Sequence, residues 1–205
     1  MNEPVVFSYL AEKVSEDIRK GSLKPEIALA LRIFPFKAYI REKLSIDDVV
    51  HITRLFKNKN DEIKAFALMI SSPFQKDENV KQAILDLWKN DRGSFLVGFN
   101  SIYRLLVYED ITSNLREEFF GYIKKHWKEW KQKLVTFYPE PKRIIPFAKS
   151  RINNPNFLKW KKWIYLVEVA CSPEKKNAKA FLDNFKTSDP FEEKIRKWAL
   201  SCLRS

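Results

Sequence analysis

The sequence predicts an all-α protein of stacked antiparallel helical hairpins, about ten helices in one domain spanning residues 1–205. Three observations carry this. Apolar residues recur at three- and four-residue spacing almost throughout. Helix boundaries are punctuated by Ser72-Pro73, Asn154-Pro155, Ser172-Pro173 and Asp189-Pro190. No segment of more than five residues alternates as a half-buried strand would.

Taken in order, the first helix runs from Pro4 to Lys20, carries Val6, Tyr9, Leu10, Val14 and Ile18 on one side, and stops at Gly21. Pro25 suits the first turn of a second helix through Leu31, which Pro35 breaks or restarts. Ser45 and Asp48 have the spacing of a capping box and open a helix with Val49, Ile52 and Leu55. Helices over Asp61 to Ile70, Val80 to Trp88 and Phe95 to Tyr108 follow, the last two separated by a turn at Asn90 to Gly93. The longest helix spans Asn114 to Phe137 and ends at the Pro139 and Pro141 pair. A short one covers Arg143 to Ile152. Asn154-Pro155 starts a helix through Cys171, Ser172-Pro173 one ending near Phe185, and Asp189-Pro190, with Glu192 three residues on, the last one to Leu203.

With 45% hydrophobic and 14% aromatic residues the chain is not generally disordered. Only four glycines are present, and neither a phosphate-loop nor a dinucleotide fingerprint occurs. No secretory leader is recognisable, and the most apolar stretch, Trp163 to Cys171, is too short to cross a bilayer and contains Glu168. Cys171 and Cys202 lie in apolar helix patterns and read as buried free thiols of a reducing cytosol. The expectation is a cytoplasmic monomer without membrane association or cofactor.

The charge is concentrated. Residues 121–162 hold twelve of the basic side chains against only Glu129 and Glu140, a net of +10 in a chain of +12. A surface this basic meets an anion, most plausibly a nucleic-acid backbone. The candidate contacts are Lys124, Lys125, Trp127, Lys128, Lys131, Arg143, Lys149, Arg151, Lys159, Lys161 and Lys162. Stepping about 100° per residue, Phe119, Ile123, Trp130, Leu134 and Phe137 share one face, Trp127 lies at its rim, and Lys124, Lys128 and Lys131 fall opposite. The apolar face reads as core, the lysine face as exposed under either reading. Trp163 to Ala170 is apolar almost all round, which marks a central helix, and its basic first turns should protrude. Glu168 there reads as a carboxylate with a partner on an adjacent helix. His51 and His126 have no second ligand at helical spacing beyond acids such as Asp47, so no metal is expected, and the acid pairs near helix starts answer to the helix dipole.

A faint internal echo is present. Ala83 to Lys89 reads against Ala180 to Lys186, each with a Ser-Pro upstream, and Ile63 to Leu68 reads against Ile195 to Leu200. Helix, Ser-Pro turn and helix returning about a hundred residues apart is what stacked helical hairpins leave. On this pattern the chain resembles the HEAT-like superfamily of helical-hairpin repeats. The resemblance implies a short curved α-solenoid whose concave face binds a partner, in a superfamily that includes scaffolds, transport receptors and glycosylases acting on alkylated DNA. It carries no catalytic residue onto this chain. Three functions therefore stand: a module binding DNA or RNA through its lysines with Trp127 free to stack on a base, a scaffold docking an acidic protein partner, and a base-excising enzyme.

Overall fold

The computed structural model describes residues 3–33, 37–97, 108–137, 140–156 and 161–204. Among them every regular element is helical and no strand occurs, so the all-α expectation holds. The chain divides into two compact units, Met1–Val107 and Tyr108–Ser205.

The first unit contains α1 (Glu3–Lys20), α2 (Pro25–Ile33), α3 (Lys37–Lys43), α4 (Val49–Leu55), α5 (Asp61–Ile70), α6 (Glu78–Asn90) and α7 (Gly93–Val97). Its centre is α5, where every side chain from Ile63 to Ile70 is buried. Asn60 caps it by accepting from the Glu62 and Ile63 amides, and α2, α3, α4 and α7 pack around it. Lys64 is enclosed within that helix. Burial favours loss of its proton, but bonds to Asp61, at 2.7 Å, and to Asp91 outweigh this and raise its pKa. Helix α1 ends as expected, on Gly21 in the left-handed region with φ 71°. Its buried face is Ala11, Val14, Ser15 and Ile18, whereas Tyr9 and Leu10, expected inside, are exposed. The Ser15 hydroxyl donates to the Ala11 carbonyl at 2.8 Å, which lets a serine occupy the buried stripe. The Ser45 box forms on a 3-10 turn, Ile46–Asp48, and the Asp48 carboxylate also receives two bonds from Arg19 of α1, at 2.8 and 3.1 Å.

The second unit contains α8 (Glu109–Lys125), α9 (Trp127–Phe137), α10 (Ile144–Ile152), α11 (Lys162–Val169), α12 (Lys175–Asn184) and α13 (Pro190–Cys202). Together with the first unit this makes thirteen α-helices among the described residues, more than the sequence suggested. One reason is that the expected long helix from Asn114 is broken at His126, whose backbone (φ −109°, ψ 29°) leaves the helical range. The break does not disturb the burial pattern: Phe119, Ile123, Trp130 and Leu134 are buried and Trp127 half-buried. Helix α11 is the centre, buried from Trp163 to Ala170 and packed by α10, α12 and α13. Asn154 does not cap it; its side chain closes a turn by accepting from the Asn156 amide at 2.9 Å, and α11 begins at Lys162. The expected helix over Phe95 to Tyr108 lies largely outside the described residues.

The same packing order occurs inside each unit. In the first, α4 meets α5 and α6, and α5 meets α7; in the second, α10 meets α11 and α12, and α11 meets α13. Both all-buried helices, α5 and α11, run into their Ser-Pro turn and then an amphipathic helix, α6 or α12. No helix among the described residues is long and apolar enough to cross a membrane.

Candidate functional site

The basic residues singled out by sequence fall into two groups in the second unit. The first lies at the α8–α9 junction. Lys124, Lys125, Lys128 and Lys131 are all exposed. The Lys124 ammonium stands 5.4 Å from the centre of the Phe120 ring, an arrangement that holds the charge over a fixed apolar platform. Phe120 meets Trp198 edge-on at 5.1 Å, and Trp198 meets Trp127 edge-on at 4.7 Å. Trp127 is thus half-buried and engaged by its neighbour, so its ring supports the lysines rather than standing free. Glu129, the sole carboxylate between Gly121 and Phe137, lies 3.7 Å from Nδ1 of His126. None of the four lysines has a carboxylate partner among the described residues.

The second group borders a cleft of about 1010 Å³ between α10 and α12. Lys149 projects from α10 and Lys162 from the start of α11. Lys162 and Lys161 are half-buried, so they stand out less than the sequence suggests. Lys159 lies outside the described residues. Arg143 pairs with Glu140 at 2.9 Å, and the Arg151 guanidinium lies 4.9 Å from the Phe147 ring centre, so each is engaged locally and neither borders the cleft.

Sequence reasoning missed Arg116, Lys186, Asn184 and Thr187, all on the cleft wall. Arg116 of α8 reaches Asp189 at 2.7 Å. Asp189 caps α13 by accepting from the Phe191 amide at 2.8 Å, its own amide donates to the Thr187 hydroxyl at 3.1 Å, and that hydroxyl donates to Glu192 at 2.5 Å. Both carboxylates of the cleft are thereby engaged within the chain. Lys149, Lys162 and Lys186 have no such partner among the described residues. The Lys186-Thr-Ser-Asp-Pro run between two helices was a legible loop signal; the pairing of Arg116 with Asp189 had none.

One acid and two thiols elsewhere in the unit are buried or half-buried. Burial pushes the Glu168 carboxyl up to about 8. Burial also raises the Cys171 thiol, with Glu168 adding to it, and raises the half-buried Cys202 thiol, which Lys131 and Lys124 partly offset. Both cysteines are free. Among the described residues no group of three or more His, Cys, Asp or Glu side chains is placed to hold a metal. Comparison of the chain with models of known families, with curated proteins and with solved structures found no match.

Proposed function

We propose that the chain is a helical-repeat module that binds nucleic acid through the phosphate backbone, using Lys124, Lys125, Lys128 and Lys131. The observation that carries the reading is their exposure on consecutive helices without a carboxylate partner among the described residues. A lysine face that served only solvation would be interleaved with acids, because opposite charges lower its self-repulsion. Here the one acid between Gly121 and Phe137, Glu129, lies beside His126. The matching packing order inside the two units supports a HEAT-like arrangement of hairpins, with the second unit carrying the charge. Trp127 acts in this reading as a buttress for the face.

Lysine contacts to phosphates carry no direct sequence information, so binding shows weak base preference. With about four contacts, log K falls against log salt with a slope of roughly −3 to −4 on a duplex. Mobility shifts over a salt series test this. Changing Lys124, Lys128 and Lys131 together to Glu abolishes binding and leaves the helical spectrum intact, since exposed lysines contribute little to stability. Absence of a shift even at low salt overturns the reading and leaves the docking of an acidic protein segment as the use of the face.

A further inference from the structure

A cleft recurs at the same place in both units. In the first it has a volume of about 740 Å³ and lies between α4 and α6; in the second it lies between α10 and α12. Counting 95 residues on, Val50, Arg54 and Asn58 of the first fall on Ile145, Lys149 and Asn153 of the second, and all six border their cleft. Counting 97 on, Ala83 falls on Ala180, again at matching positions. An apolar side chain, a cation, an asparagine and an alanine thus return at nearly the same spacing, beside lining pairs that differ, such as Lys57 with Ile152 and Leu87 with Asn184. Each cleft therefore lies between the two helices that hold the same place in its unit.

The two copies differ in charge. In the first, the lining holds two cations, Arg54 and Lys57, and two carboxylates, Asp86 and Asp91, a net of zero. In the second, Arg116 pairs with Asp189 and Glu192 accepts from Thr187, so four cations face two carboxylates, a net of +2, and three ammoniums have no ion-pair partner among the described residues: Lys149 from α10, Lys162 from α11 and Lys186 from the loop before α13. Three cations from three separate elements border one cavity whose remaining wall includes Phe181 and Ile152. A compact, multiply charged anion joined to an apolar body satisfies both halves. A phosphomonoester is close to a dianion at neutral pH and offers three acceptor oxygens, and the cavity is of the size that small-molecule sites occupy.

We propose that the second-unit cleft is a receptor for a phosphomonoester carried on an aromatic or apolar organic group. A nucleoside monophosphate and the phosphorylated 5′ end of a nucleic-acid strand are two sources of that chemistry. The site uses none of Lys124, Lys125, Lys128 and Lys131 and does not rest on their reading.

The test is calorimetric titration of the whole chain with adenosine monophosphate, adenosine and inorganic phosphate, and with short single strands bearing a 5′-phosphate or a 5′-hydroxyl. The expected result is at least tenfold tighter binding of adenosine monophosphate than of either fragment, or the same preference for the phosphorylated strand over its hydroxyl counterpart. The first outcome assigns a free small molecule, the second a strand end. The double variant Lys149→Ala, Lys186→Ala should lose at least tenfold in that preference; both side chains are exposed, so its thermal midpoint should match the parent. Lys186→Glu alone should give a loss in the same direction. Arg54→Ala, in the charge-balanced cleft, should leave the preference unchanged. Equal binding of phosphorylated and unphosphorylated probes, no binding of any, or equal losses for Arg54→Ala and the double variant would overturn the proposal. The strand arm repeated on the Lys124, Lys128 and Lys131 charge reversal separates the two sites, because binding through the strand backbone should be lost there while the cleft still takes the phosphorylated 5′ end in preference to its hydroxyl counterpart.

Discussion

Arg116 and Asp189, 73 residues apart, meet at 2.7 Å while the same carboxylate caps α13 and the guanidinium lies 4.6 Å from the centre of the Phe191 ring. One acid therefore fixes the first turn of a helix and orients the arginine on the cleft wall. Asp189→Ala should lower stability by about 1–2 kcal/mol, mainly through the lost cap. The ion pair is partly exposed and adds little. Asp189→Asn keeps a capping oxygen and should recover most of the loss in urea denaturation. Equal losses for Ala and Asn would show that the charge, not the cap, holds this end.

Trp130 and Trp163 are each 1% exposed and fill the core of the second unit. Truncation of either to Ala should cost about 3–5 kcal/mol. Trp127→Ala, at a half-buried position, should cost less than both. Denaturation midpoints unchanged for Trp130 or Trp163 would contradict the packing.

Glu168 gives the second unit an alkaline sensitivity. Its carboxyl is raised by burial from 4.5 to about 8, so the folded chain retains a proton that the unfolded chain releases between those values. The contribution is fully present below 4.5 and is lost as pH rises through about 8. Wild-type stability should therefore fall across that window, and Glu168→Gln, neutral throughout, should not show the decline. At pH 9 the variant should be more stable than the parent, by on the order of a few kcal/mol. Parallel pH profiles for the two proteins would exclude a buried acid here.

Asp48 behaves in the opposite sense. The bonds from Arg19 hold its carboxyl below the usual carboxylate value, against the effect of burial. Its contribution is present above the unfolded carboxylate pKa and is lost as pH falls through the lowered folded value. Asp48→Asn should cost about 1–3 kcal/mol at neutral pH, and the difference from wild type should vanish once acid has protonated the native side chain. A gap that persists in acid would assign the loss to packing instead.

Local signals were legible and remote ones were not. Gly21 ended α1, Asp189 capped α13 and Ser45 with Asp48 opened a turn, because each acts within about one turn of its own position. The nearly all-round apolar run at α11 announced a central helix because little else accommodates it, whereas the central place of α5 was not read from the sequence. By contrast, no proline or glycine stands at 126 to announce the break there. Tyr9 and Leu10 had the right spacing, yet the partner helices cover only the narrower Ala11, Val14 and Ile18 stripe. In the candidate site the lysines of 124–131 were visible as a face, since exposure opposite an apolar stripe follows from helical period alone. Lys186 and Arg116 were not, because membership of a cleft depends on which helices pack, and Lys186 lay beyond the dense basic run.

Position 93 places an unusual demand on the first unit. A Cβ built on Gly93 would stand 2.5 Å from the Asp61 carboxylate oxygen, and that carboxylate is one of two neutralising the buried Lys64 ammonium. The backbone conformation at 93 would accept an alanine, and the start of α7 would even favour one. The obstacle is the Asp61 carboxylate, an exposed side-chain end that a methyl group there would oblige to shift while it holds Lys64. A change as mild as Gly93→Ala thus bears directly on a carboxylate that partners a buried lysine.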